Sequence, residues 1–337
     1  MRNLAEINLS LLRENAKNIR KKLPKNTLFC AVVKADAYGH GGVACADALY
    51  GICDVFAVAL VEEGIELRLG GIDKEILVLV PPIKKDLERA ISFRLTLTVD
   101  DIKGLMEIEK VAKSLKKHVK VHVAYNTGMN RLGVDGIKDL KKLLDKAKGC
   151  EFVKISGFYS HFGCPENDKM LNQTLDKFLL ANKVVKGYNN KVISHISASG
   201  GFLKGVYLDM VRIGILLYGY KPFKSFEISV KPIMKVYSHV VKSRVLNKGE
   251  RCMYGKVKSD KLRPISIVRV GYADGFFRKQ VKGQFNNRCM DLTAVSFIKG
   301  HKVCVLKNAD SLAKKYNTIS YEILSRATTR AEKKYIR

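Results

Sequence analysis

The stretch Leu28-Phe29-Cys30-Ala31-Val32-Val33-Lys34-Ala35-Asp36-Ala37-Tyr38-Gly39-His40-Gly41 carries six apolar residues directly into a lysine. The apolar run ends in small and β-branched residues, the composition of a buried strand. A lysine there is costly, because apolar walls disfavour the ammonium and leave a neutral amine, the form that condenses with an aldehyde. Lys34 is therefore a candidate covalent anchor. The competing reading is a strand-end lysine whose head group snorkels to water.

The same unit, a short apolar run followed by a longer helical pattern, recurs along the chain. Strands are expected at Leu28–Val33, Val55–Ala59, Ile76–Leu79, Thr96–Val99, Lys120–Ala124, Val153–Tyr159, Val192–Ile196 and Asp209–Ile213. Between them lie stretches of 3.6-residue periodicity such as Asp101–Leu115, Ile137–Ala147 and Asn172–Lys186, many opened by Asp, Ser or Gly. Eight such units match a parallel (β/α)8 barrel better than an open doubly wound sheet of five or six strands. After Tyr218-Gly219-Tyr220 the pattern turns to strand-like runs at Ile228–Val245, Pro264–Val270, Leu292–Phe297 and Lys302–Leu306, with helices only in the tail, around Ser311–Lys315 and Ser320–Leu324. The expected fold is α/β: an N-terminal barrel over residues 1–225 and a C-terminal, mainly β domain over 226–337, with residues 1–9 able to pair with the latter.

Bulk composition narrows the classes. A chain of 337 residues with 47% hydrophobic content is long enough for two domains, and without Trp its core is aliphatic. The net charge of +29 invites a nucleic-acid or membrane reading. The lysines, however, are dispersed as pairs such as Lys21-Lys22, Lys84-Lys85 and Lys141-Lys142 on polar helix faces, with no zinc-finger or RNP pattern, so no nucleic-acid partner is expected. No apolar run approaches the ~20 residues of a membrane span. Eight cysteines without a CxxC pair, and no basic-plus-apolar leader before Ile7, point to a reduced, cytoplasmic protein. Seven histidines without paired spacing give no support for a metal site.

In a barrel of this kind chemistry belongs on the loops at the C-terminal strand ends. There the sequence puts Lys34 and Tyr38 after the first strand, Arg131 after the fifth, His161 after the sixth, Ser199 after the seventh, and Arg212 and Gly214 at the eighth. Singly, each has an ordinary reading: a core histidine, a surface ion pair, a helix cap. Together they offer an amine, two guanidiniums, an imidazole and small residues whose backbone N–H groups suit a phosphate, a set that fits a phosphorylated aldehyde.

Five ordered segments, Ala31–Gly41, Thr127–Gly133, Arg212–Gly219, Gly271-Tyr272-Ala273-Asp274-Gly275 and Cys289-Met290-Asp291, make the whole chain resemble the alanine racemases. That family has a (β/α)8 barrel and a β domain, uses pyridoxal 5'-phosphate, and works as a homodimer. The resemblance implies that Lys34 binds the cofactor as a Schiff base and is one of two bases. The second, Tyr254 in Cys252-Met253-Tyr254-Gly255, would come from the partner subunit. Arg212 would face the pyridine nitrogen, with His161 holding it, and Tyr38, Ser199, Gly214 and Ile215 would cradle the phosphate. Arg131 would meet the cofactor's phenolic oxygen or the substrate carboxylate, the partner's Met290 N–H would meet that carboxylate too, and Tyr272 would line the entry channel. A phenol is a weak base, so the reading needs cations near Tyr254.

The chain departs from the family pattern at several points. Ala124 stands where a carbamylated lysine often lies, Asn126 for the usual aspartate, Asn287 for an arginine, Ile213 for a proline, and Thr329 for a phosphate-binding tyrosine. The implied activity is interconversion of L- and D-alanine, supplying D-alanine for peptidoglycan. The alternatives are a broad-specificity amino-acid racemase, a decarboxylase of the same fold, and a non-catalytic pyridoxal-phosphate-binding protein. Paired Tyr254 and Met290 elements speak against the decarboxylase, and a carrier has no need of a β domain bearing a second base.

Overall fold

The computed structural model describes residues 3–223, 228–254, 258–278 and 288–337. By contact the chain divides into two units: Arg13–Ala35 with Gly42–Val230, and Met1–Leu12 with Asp36–Gly41 and Lys231–Arg337.

Strand β1 (Asn3–Asn8) belongs to the second unit. In the first, the chain forms β2 (Leu28–Val32), β3 (Val55–Val58), β4 (Glu75–Val78), β5 (Leu97–Val99), β6 (Val119–Asn126), β7 (Val134–Asp135), β8 (Val153–Tyr159), β9 (Ile193–His195) and β10 (Met210–Ile213). Apart from β7, which pairs with the end of β6 at Tyr125 and Asn126, these are the eight strands expected from the apolar runs. Parallel ladders join them in the orders β10-β2-β3-β4 and β5-β6-β8-β9. The two ladders meet twice. Thr96 exchanges bonds with Ile76 and Val78 at 2.9 Å, and the Arg212 N–H donates to Ser197 O at 2.9 Å. The sheet thereby closes into a barrel, which leaves no strand edge exposed.

Local signals set the helix ends. Asp101 accepts the Gly104 N–H at 2.6 Å to start Ile102–Leu115, and Lys116 ends that helix in the left-handed conformation at φ 52°. Asn167 caps Asp168–Tyr188 through the Met170 N–H at 3.1 Å. The buried Glu109 carboxylate accepts N–H groups of Glu151, Phe152 and Val153 at 3.0, 3.1 and 2.9 Å, fastening the start of β8 to helix Ile102–Leu115.

The second unit is built on one sheet ordered β13 (Thr293–Ser296), β12 (Arg263–Val268), β11 (Met234–Leu246), β1, β15 (Ala331–Ile336), with β14 (Lys302–Leu306) also paired to β11. β1 runs antiparallel to β11 and parallel to β15. Two details differ from the sequence reading. β11 begins at Met234 rather than Ile228, because Pro232 has no N–H for a ladder. Both tail helices form, at Ala309–Tyr316 and Ser320–Ala327, and they are followed by a strand that no apolar run announces, β15, polar and mostly exposed, whose register comes from its neighbour β1.

Candidate active site

Directly after β2 the backbone does something no L-residue run favours. Ala35, Asp36, Ala37 and Tyr38 all have φ between 52° and 55°, so Lys34–Gly39 is a single left-handed turn. Each such residue costs about 1–2 kcal/mol relative to the right-handed form, and persists only where its surroundings dictate it. On the barrel side, Glu63 accepts the Ala35 N–H at 2.6 Å and the Ala59 and Leu60 N–H groups at 2.7 and 3.0 Å. Within the second unit, Gly41 N–H donates to Asp36 O at 2.8 Å, Thr328 Oγ1 to Gly39 O at 2.9 Å, and Lys333 pairs with Asp36. Lys34 itself is half-buried. Desolvation, then the Arg131 cation, lowers its pKa; Glu63 opposes this, and Arg212 adds to it. Its amine is thus easier to deprotonate than an ordinary lysine's.

Arg212 is 3% exposed and is held almost entirely by acceptors. Its terminal nitrogens donate to His195 Nδ1, His195 O (3.2 Å), Ser160 O (2.7 Å) and Ile196 O (3.1 Å), with His161 Nδ1 at 3.4 Å. The Tyr159 ring lies 5.1 Å from the guanidinium carbon and stacks on His195 at 5.0 Å. Burial draws the Arg212 pKa down to about 10, so it remains a cation at neutral pH. Among the described residues Nε–H is the one donor of this side chain without an acceptor. His161 is pushed down to about 3 by burial and by the cations Arg212, Arg131 and Lys34, so it is a neutral acceptor. Nothing in the sequence singles out His195, yet it is the nearer partner of Arg212.

Ser199 and Gly214 are brought together: the buried Ser199 hydroxyl accepts the Gly214 N–H at 3.3 Å, leaving its own proton to donate. Ile215 follows in the turn that ends at Tyr218. Arg131 is exposed on the loop after β6, and Asn126 organises that loop. The Asn126 amide bonds Asn130 Oδ1 at 2.9 Å and Asp135 Oδ1 at 2.8 Å, while its oxygen accepts the Gly128 and Asn130 N–H groups at 3.0 and 3.1 Å. Gly133 closes the loop at φ +112°, where a Cβ would sit 2.6 Å from the Tyr125 carbonyl carbon. With Ala124 unable to reach Arg131, this knitted backbone is what delivers it. Taken together, the amine, the leftover Arg212 N–H, and the Ser199 and Gly214 groups suit a phosphorylated aromatic aldehyde with a ring-nitrogen acceptor.

The other expected residues lie in the second unit. Tyr38 is buried there, its ring 6.0 Å from Tyr321, and burial raises its pKa so that it stays a protonated donor. Tyr254 is 83% exposed, Met290 54% and Tyr272 38%. Met290 O accepts the Ala273 N–H at 3.0 Å and Cys289 O the Tyr272 N–H at 3.1 Å, so Tyr272 and Met290 are neighbours. Cys289 Sγ lies 3.5 Å from Met253 Sδ, which sets Tyr254 beside the same cluster. Asn287 falls outside the described residues. Thr329 bonds Arg326 O at 2.7 Å.

A closed (β/α)8 barrel with a pKa-lowered lysine and a caged arginine on its strand ends, joined to a β domain, defines a class of enzyme built around a barrel lysine amine. The alanine racemase N-terminal domain model matches residues 7–222 and the C-terminal domain model residues 233–335. Curated relatives named alanine racemase come from Francisella tularensis (33% identical, covering 99% of this chain and all of the relative) and Staphylococcus epidermidis (31%, 98% and 93%). Among solved structures, the Clostridium difficile alanine racemase superposes with a TM-score of 0.91 at 30% identity, covering 100% of this chain and 96% of that one. The Bacillus anthracis alanine racemase with bound L-Ala-P gives 0.92 at 27%, covering 99% and 95%. The chain belongs to the alanine racemase family.

Proposed function

We propose that this chain is a pyridoxal 5'-phosphate-dependent alanine racemase that interconverts L- and D-alanine by a two-base mechanism, as a homodimer in the cytoplasm, supplying D-alanine for peptidoglycan. The observation that carries the reading is the pairing, within one barrel, of a lysine amine with a lowered pKa and a buried arginine with one N–H to spare. Membership of the family and the shared fold support it. No helix among the described residues is long and apolar enough to cross a membrane.

Lys34 would hold the cofactor aldehyde, Arg212 its ring nitrogen, and Tyr38, Ser199, Gly214 and Ile215 its phosphate. When bound, the group supplies an electron-withdrawing ring conjugated to Cα of the substrate. A guanidinium holds its proton far more tightly than a pyridine nitrogen, so Arg212 would donate a hydrogen bond to the ring nitrogen without protonating it, which would temper electron withdrawal and favour return of a proton to Cα over side reactions. Two bases on opposite faces invert the centre. The Tyr254 oxygen would take the proton of L-alanine while the Lys34 amine, freed once the substrate amine replaces it on the aldehyde and then protonated, would deliver one to the other face, and the roles exchange for D-alanine. Arg131 and the Met290 N–H orient the carboxylate, and Tyr272 lines the entrance.

Tyr254 is 83% exposed, as befits a base that works against the barrel of another protomer, and the exposed cluster with Tyr272 and Met290 is the surface such a partner would cover. Borohydride reduction of the purified protein followed by peptide mapping tests the anchor: label at Lys34 is expected, and label at any other lysine overturns it. Chiral chromatography on L-Ala, L-Ser and L-Lys at equal concentration tests the substrate. Comparable rates on all three would replace the alanine reading with a broad-specificity racemase, and no turnover despite attached cofactor would favour a carrier.

A further inference from the structure

Behind Arg212 the barrel interior holds a row of polar side chains that the proton transfers do not use. Arg212 on β10 meets His195 at the end of β9; His195 Nε2 lies 2.9 Å from His122 Nδ1 on β6; and His122 Nε2 faces the carboxylate of Glu75, the first residue of β4, at 3.8 Å. The other Glu75 oxygen takes the Lys120 ammonium at 2.9 Å. His122 and His195 are 1% and 0% exposed, and burial pushes both below the ordinary imidazole range, His122 to about 4. Barrels of this type ordinarily fill their interior with branched apolar side chains, and buried imidazoles are costly without partners. The neighbouring strand accommodates this one. At Gly157 of β8 a Cβ would fall 2.3 Å from His122 Cγ, so any larger residue would collide with the ring.

The row has a direction. Arg212 has only donors, so His195 Nδ1 accepts. The proton of neutral His195 is then on Nε2 and points to His122 Nδ1, which accepts in turn. The His122 proton is then on Nε2, which makes no hydrogen bond among the described residues and faces the Glu75 carboxylate across 3.8 Å, so the acid acts on it through its charge. Every hydrogen runs from the cation at the catalytic end of the barrel towards the acid at the opposite end.

We propose that His122 and Glu75 are positioning residues for Arg212. They hold His195 as the Nε2–H tautomer, so that Nδ1 presents only a lone pair to the guanidinium and the unused Arg212 N–H stays aimed at the site. Without an acid at the Glu75 end, the His122 proton can settle on Nδ1, His195 must then carry its own proton on Nδ1, and two donors face each other at Arg212. The inference rests on the reading of Arg212 as the partner of the ring nitrogen.

The test is nitrogen-isotope correlation spectroscopy of histidine-labelled, cofactor-loaded protein. Wild type is expected to show His122 and His195 neutral and protonated at Nε2. Glu75→Ala and Gly157→Ala are expected to populate the other His195 tautomer, to shift the visible absorption of the bound cofactor, and to lower kcat about fivefold, the scale of one charge acting across a gap near 4 Å. KM for alanine should change less than about twofold, since the interaction is not with substrate. Glu75→Gln keeps an oxygen facing His122 Nε2 without the charge and is expected to fall between wild type and Glu75→Ala in both tautomer and turnover. His195 protonated at Nδ1 in wild type, or Glu75→Ala leaving tautomer and kcat unchanged, would overturn the proposal. The wild-type spectrum decides the point even if a variant folds poorly. Failure of the functional reading is separately visible, as absence of cofactor at Lys34 with an unaltered histidine spectrum.

Discussion

Lys34 changes meaning between sequence and structure more than any other residue. From the chain alone, burial could only be inferred from the strand before it. In the structure its amine is pulled down by desolvation and by the Arg131 and Arg212 cations and pulled up by Glu63. Because the folded pKa lies below the ordinary lysine value, the neutral amine accumulates at lower pH than on a free lysine, and its reactivity rises with pH through that lowered midpoint. We expect the rate of reductive methylation of Lys34 in cofactor-free protein to show this midpoint. Arg131→Ala should move it up and Glu63→Gln should move it down; a midpoint at the free-lysine value would refute the environment described. His195 and His122 were not legible at this scale, because a strand histidine looks the same whether it is a core residue or the support of an arginine.

Helices and strands were the most readable level, since hydrophobic period reports them directly. Four consecutive left-handed residues at Ala35–Tyr38 were not readable, as nothing in Ala, Asp or Tyr prefers that conformation. Loop delivery of Arg131 by Asn126 was equally hidden: the sequence shows the substitution, while the structure shows four hydrogen bonds made by its side chain. Asn126→Ala should raise KM for alanine more than it lowers kcat, since it loosens a carboxylate-orienting loop and leaves both bases in place; steady-state kinetics checks this. Glu109→Ala should destabilise the barrel by about 2–3 kcal/mol, because three buried or half-buried N–H groups lose one charged acceptor. Urea unfolding measures it, and a loss within error of zero would show that water replaces the carboxylate.

At the scale of the whole molecule the two proposed bases fall in separate units, and the more exposed of them is the tyrosine. A dimer sharing its sites makes a sharp prediction. Lys34→Ala and Tyr254→Phe should each be inactive alone. Mixed and allowed to exchange protomers, they should regain about a quarter of wild-type activity, because half of the dimers are hybrids with one intact site of two. No recovery on exchange would place both bases in one chain. Dilution should likewise lower specific activity as the dimer dissociates.

The sequence by itself determined the barrel, the β-rich C-terminal domain and the chemistry types gathered on the strand ends, because strand period, helix period and charge are local properties written residue by residue. Only the tertiary structure decided what surrounds those groups. Ala35, where the left-handed turn begins, is held by Glu63, and the cage of Arg212 is assembled from carbonyls and imidazoles of different strands. Such features depend on contacts between residues far apart in the chain, whose energies exist only once the barrel has closed.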